Sequence, residues 1–126
     1  MLTAVRNSLN RRRVNPRGEQ AETRAADFLR SRGLIVVQKN YRCRFGEIDL
    51  IAREGNTVVF VEVRHRADSS YGGAAASITP AKRGRLLKTA RHYLATVHPV
   101  PPCRFDAVLL TGEPVQVEWI RNAIEE

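Results

Sequence analysis

The stretch that decides the fold runs over residues 46–64: Gly46-Glu47-Ile48-Asp49-Leu50-Ile51-Ala52-Arg53-Glu54-Gly55-Asn56-Thr57-Val58-Val59-Phe60-Val61-Glu62-Val63-Arg64. Residues 48–52 and 57–64 are rich in β-branched and other apolar side chains and read as two strands. Glu54-Gly55-Asn56 between them is a turn signal, so the two runs form a hairpin. Apolar residues fill successive positions, Leu50 and Ile51 on one arm and Val58 to Val61 on the other. A strand pair apolar on both faces is covered on both faces.

Charged residues interrupt this hairpin at the end away from its turn. Glu62 and Arg64 are two apart and share a face, because strand side chains alternate. Asp49 and Glu62 stand at nearly equal distances from Gly55, so they meet across the ladder. Glu47 falls toward the opposite face and ranks lower. Carboxylates among apolar neighbours are costly unless positive charge meets them. Two arrangements do this. One is a divalent cation with hard oxygen ligands, Mg²⁺ or Mn²⁺. The other is a buried Asp/Glu/Arg network through Arg64.

Working outward, residues 18–32 read as a helix with Ala21, Ala25, Phe28 and Leu29 as its apolar stripe and Gly33 as its C-cap. Glu22 sits on that inner stripe, placed either to add a third carboxylate to the sheet site or to serve the helix dipole as a first-turn acid. Residues 34–37 form a short first strand, and residues 40–45 alternate basic and aromatic groups. Residues 67–77, rich in Gly, Ala and Ser, read as a mobile loop, with Tyr71 placed to stack on an unpaired base. Thr79-Pro80 opens a second helix. Its stripe is Leu86, Ala90, Tyr93 and Val97, and Pro99 closes it. Lys82 lies inward, one turn before Leu86, where it and Arg64 can hold a phosphate. Arg83, Arg85 and Lys88 form a solvated basic face for backbone phosphates. Residues 105–110 form a fourth strand and 115–119 a weaker fifth. His65, His92 and His98 lack metal-ligand spacing and read as surface histidines.

The charge balance points the same way. Lys plus Arg number 21 against 13 Asp plus Glu, a net charge of +8. A field of that sign attracts nucleic acid or an anionic membrane surface. Arg6, Arg11, Arg12, Arg13 and Arg17 all precede the first acid, Glu19. Residues 1–17 therefore read as a disordered basic arm that tracks a phosphate backbone, and 18–126 as one domain. No apolar run reaches the roughly 18 residues of a membrane span. The basic N-terminus is followed by no apolar stretch, so the chain reads as cytoplasmic. Cys43 and Cys103 are isolated and read as two small buried hydrophobes in a reducing compartment.

Taken together, Gly18 with Glu22, Asn40-Tyr41-Arg42, Gly46-Glu47-Ile48-Asp49-Leu50-Ile51, Phe60-Val61-Glu62-Val63-Arg64, Gly72-Gly73-Ala74-Ala75-Ala76-Ser77-Ile78, Lys82 and Arg104-Phe105-Asp106 resemble the YraN-like family of bacterial proteins. That family is itself similar to the PD-(D/E)xK nucleases and to archaeal-type Holliday-junction resolvases. The resemblance implies an α/β fold with a restriction-endonuclease-like core, a mixed central sheet flanked by helices in the order α-β-β-β-α-β. It implies Mg²⁺ or Mn²⁺ held by Asp49, Glu62 and Glu22, with the Val63 carbonyl adding a ligand. DNA is the implied partner, and the likeness to resolvases implies a homodimer. The superfamily's active-site lysine falls on Arg64. Lysine can deprotonate or position water, whereas arginine stays charged and can only orient or stabilise.

Two functions compete. One is a metal-dependent endonuclease acting on branched or single-stranded DNA through Asp49, Glu62, Arg64 and Lys82. The other is a DNA-binding module that keeps the nuclease fold without hydrolysis. In both, Arg11, Arg12, Arg13, Arg42, Arg44, Tyr71, Arg83, Arg85 and Lys88 contact nucleic acid.

Overall fold

The computed structural model describes residues 16–66 and 79–124. The basic arm with Arg11, Arg12 and Arg13, and the glycine-rich loop with Tyr71, lie outside the described residues. Among the described residues seven elements follow one another: α1 (Pro16–Ser31), β1 (Ile35–Cys43), β2 (Gly46–Glu54), β3 (Thr57–Arg66), α2 (Pro80–Leu94), β4 (Cys103–Thr111) and β5 (Gln116–Ile124). They build one mixed sheet in the order β1-β2-β3-β4-β5. All neighbours are antiparallel except β3 and β4, which run parallel across the α2 crossover. This is the α/β layering expected from a mixed sheet flanked by helices.

The decisive hairpin forms as its sequence demands. Glu54 pairs with Thr57 around the two-residue turn Gly55-Asn56, and Gly55 takes φ +60°. A glycine at the first turn position gives the backbone twist that matches twisted strands. Beyond the turn the two faces of β3 separate cleanly. Val59, Val61 and Val63 join Ala21, Ala25 and Leu29 of α1, together with Leu50, Val108 and Leu110. Val58 and Phe60 join Leu86 and Ala90 of α2, together with Ile51 and Phe105. Each helix thus covers one face of the sheet, and both faces of the central strands are dry.

Several elements differ in extent from their sequence reading. β1 continues to Cys43, through the alternating basic and aromatic residues. It is an edge strand, where charged side chains are tolerated because one side faces water. β5 is full length rather than weak, and carries a register shift opposite Phe105 and Ala107. α2 stops at Leu94 rather than running to Val97. The Thr96 hydroxyl donates to the Tyr93 carbonyl at 2.7 Å, a local bond that competes with the helical ladder. Cys43 is only half-buried and Cys103 is exposed, so neither is the core hydrophobe expected. Among the described residues, no helix is long and apolar enough to cross a membrane.

Candidate functional site

The β2–β3 ladder ends at the pair Leu50–Val61. Past that point β2 stays with β1 and β3 stays with β4, so the two central strands part. Asp49 is the first residue beyond the fork. Its Oδ2 accepts the Val63 N–H at 2.8 Å, the bond a continuing strand would have supplied. The fork opens a cavity of about 360 Å³. Both helices reach it near their N-terminal ends, α1 with Glu22 and α2 with Lys82 and Arg85, while the strands contribute Glu47, Asp49, Glu62, Arg64 and His65.

The two acids expected to converge, Asp49 and Glu62, line one cavity, with the Asp49 carboxyl within hydrogen-bonding reach of Glu62. Glu62 lies on the α2 face, by alternation with Phe60, and a lysine of α2 meets it there. Glu62 is the more enclosed, with 8% of its side chain exposed. Its Oε2 meets Arg64 Nη2 at 2.8 Å and Lys82 Nζ at 2.5 Å. Lys82 is aimed inward by a defined helix start, since Thr79 Oγ1 accepts the Lys82 backbone N–H at 3.1 Å and Pro80 follows the cap.

The electrostatics are strained. Burial, then the neighbouring Glu62, push the Asp49 carboxyl up to about 8, against the Val63 N–H that favours its charge. Burial likewise raises Glu62, while Arg64 opposes the shift. Two acids in one pocket cannot both ionise freely without added positive charge. Arg64 and Lys82 supply part of it, so the guanidinium pairing foreseen for Arg64 is present beside the acid pair.

Glu22 faces the same cavity but is not gathered with the pair. Burial raises it, and a hydrogen bond from the Asn40 side chain holds it against that shift. Asn40 stands opposite Asp49 by continuation of the β1–β2 register and takes φ +54°, a left-handed value rare outside glycine. Among the described residues no group of three or more His, Cys, Asp or Glu is close enough to hold a metal ion. The expected third acid, Glu22, therefore borders the cavity without forming a three-acid group with Asp49 and Glu62. Nor is Glu22 a first-turn acid, because α1 starts at Pro16 and Glu19 has that place. By donor type, Asp49 and Glu62 fit a hard divalent cation.

Other predicted residues scatter around the rim. Glu47, ranked low from its alternation, lines the cavity and pairs with Arg42 at 3.2 Å. Arg83, Arg85 and Lys88 are exposed on α2, and Arg85 also reaches the cavity. Arg44 lies over the Phe45 ring, 4.8 Å from its centroid. His65, read as a plain surface residue, is exposed but borders the cavity. Sequence reasoning assigned no role to Asn40, although Asn40-Tyr41-Arg42 is among the residues that carry the family resemblance.

A mixed sheet between two helices, forked around an acid pair with a lysine and an arginine, defines an α/β protein with a nuclease-like core. The chain belongs to the family described as Uncharacterised protein family UPF0102, whose model matches residues 21–110 and so takes in every charged residue that lines the cavity. It is 60% identical over 111 residues to a UPF0102 protein of Nitrosomonas europaea, covering 87% of this chain and 94% of the relative. A UPF0102 protein of Cupriavidus taiwanensis is 57% identical over 110 residues, covering 86% and 82%.

Proposed function

We propose that this protein is a metal-dependent endonuclease that hydrolyses phosphodiesters of branched or single-stranded DNA. One observation carries the reading: Asp49 and Glu62 share a cavity with Lys82 and Arg64 on a protein of net charge +8. Asp49 and Glu62 would hold Mg²⁺ or Mn²⁺, with Glu22 facing the same space. The bound cation supplies Lewis acidity toward a phosphoryl oxygen and a nucleophile at neutral pH. Arg64 remains charged throughout and stabilises charge developing on the phosphate. Lys82, released from Glu62, reaches the same oxygens. Exposed Arg83, Arg85 and Lys88 hold the backbone on either side of the cut.

A second reading has its own support. Arg64 stands at the usual lysine position, and both cations rest on one oxygen of Glu62. A protein in that state binds DNA without cutting it. Incubation with labelled duplex, single-stranded and forked DNA in Mg²⁺ or Mn²⁺ separates the two. Cleavage of the forked or single strand is expected, with a loss of at least about a hundredfold in Asp49→Asn and Glu62→Gln. Equal cutting by both variants removes the site from the reaction. Salt-sensitive binding with no cutting under either metal selects the binding module.

A further inference from the structure

The β1–β2 hairpin turns through two residues, Arg44 and Phe45, between the paired Cys43 and Gly46. Neither takes the positive φ that calls for Asn, Asp or Gly, so the turn geometry demands neither a ring nor a cation there.

The tip is also held firmly. A Cβ on Gly46 would lie 3.3 Å from Thr89 Oγ1 and 3.7 Å from Arg85 Cβ, so the missing side chain lets the hairpin seat closely on α2. Behind the tip, Tyr41 Oη hydrogen-bonds His92 Nδ1, and the Tyr41 ring meets Tyr93 edge-on at 5.3 Å. His92 also meets Phe45 edge-on at 6.2 Å. Phe45 belongs to none of the core clusters, although it is half-buried. Its ring is fixed at the edge and covered by the exposed Arg44 side chain. Gly46, the next residue, lines the acid cavity. Arg85 and Lys88 stand within one or two helical turns of His92 on the same helix.

We propose that Phe45, with Arg44, is a stacking platform for an unpaired nucleobase of DNA at the rim of the acid cavity. The proposal rests on the nucleic-acid reading above and names the substrate class of that same site. An unpaired base displaces the Arg44 guanidinium from the ring and stacks there, and Arg44 turns to the adjoining phosphate. A base within a continuous duplex has both π-faces taken by its neighbours and cannot do this. The platform thus selects single strands and branch points beside the acids.

The test is binding in metal-free buffer, so that no strand is cut. A single strand and a matched duplex, each carrying 2-aminopurine, are titrated with wild type, Phe45→Leu and Phe45→Trp. Phe45→Leu keeps apolar bulk at the turn and removes the π-face. It is expected to weaken single-strand binding about tenfold and to abolish the 2-aminopurine signal, leaving duplex binding unchanged. Phe45→Trp is expected to restore both. Equal losses on the two DNAs, or no loss on either, overturn the platform while the nucleic-acid reading stands. Wild type that binds neither DNA overturns that reading and the platform with it.

Discussion

Two clusters of acids sit in one sheet and meet opposite treatment. Asp106 on β4 has no exposed side-chain surface. It accepts from Arg104 Nε at 3.0 and 3.1 Å, from Trp119 Nε1 at 2.9 Å and from the Asn122 backbone N–H at 3.0 Å. Glu54 nearby takes Arg104 at 2.7 Å and Arg121 at 3.1 and 3.2 Å, and these partners hold its carboxyl down to about 2. Asp49 has one backbone donor and a second acid for company. The first cluster joins β4 to β5 and the β2 turn, with its charge matched. In the second, both cations stand on one oxygen of Glu62, and Asp49 meets only the Val63 N–H in an open cavity. The same residue types make a fastening in one place and a site in the other, and the count of donors separates them. Perturbed, under-compensated acids in a cleft are the ones to suspect of chemistry.

Deleting the fastening should have the largest effect on stability. Asp106→Ala leaves the largely buried Arg104 guanidinium without its main partner and frees β5. It is expected to cost about 3–5 kcal/mol in urea denaturation. A cost below about 1 kcal/mol would make the two clusters energetically alike and undo the contrast.

The site should answer in the opposite sense. Folding raises Asp49 from 3.8 to about 8, so the folded state holds its proton more tightly than the unfolded chain. That contribution favours folding at low pH and is lost as pH rises between about 4 and 8. Glu54 falls from 4.5 to about 2, so its contribution is present above 4.5 and disappears as pH drops toward 2. In metal-free buffer, Asp49→Asn is expected to gain on the order of 1–2 kcal/mol at neutral pH and to flatten the slope above pH 4. Glu54→Gln should flatten only the acid limb. Thermal melts from pH 3 to pH 9 check both. A neutral-pH loss in Asp49→Asn would place Asp49 with the fastening acids.

The smallest effect compares two asparagines. Asn40 beside the cavity and Asn122 beside Asp106 take φ +54° and +53°. Glycine relieves that conformation equally at both places. Asn122 touches its acid through the backbone N–H, which glycine keeps, so Asn122→Gly should be neutral or gain up to about 1 kcal/mol. Asn40 holds Glu22 through its side chain, so Asn40→Gly should fall below Asn122→Gly by about 1 kcal/mol. Equal changes in the two would show that the Asn40 amide does nothing for Glu22.

The decisive hairpin, both helices and the partnership of Asp49 with Glu62 were legible because each rests on a local rule. Strand alternation, a glycine turn and a Thr-Pro helix start act over a few residues. Edge strands were harder to read, since β1 and β5 are held by neighbours rather than by their own apolar pattern. β5 in particular depends on Trp119 and Asn122 reaching Asp106, which lies sixteen positions before Asn122.

The amino-acid order by itself determined the succession of helices and strands, and that acids would interrupt a dry hairpin. Only the tertiary structure decided that β2 and β3 part beyond the Leu50–Val61 pair, that Lys82 shares Glu62 with Arg64, and that Asn40 meets Glu22. Those outcomes depend on where separate elements end relative to one another in space, and burial and charge at a shared cavity are sums over all of them.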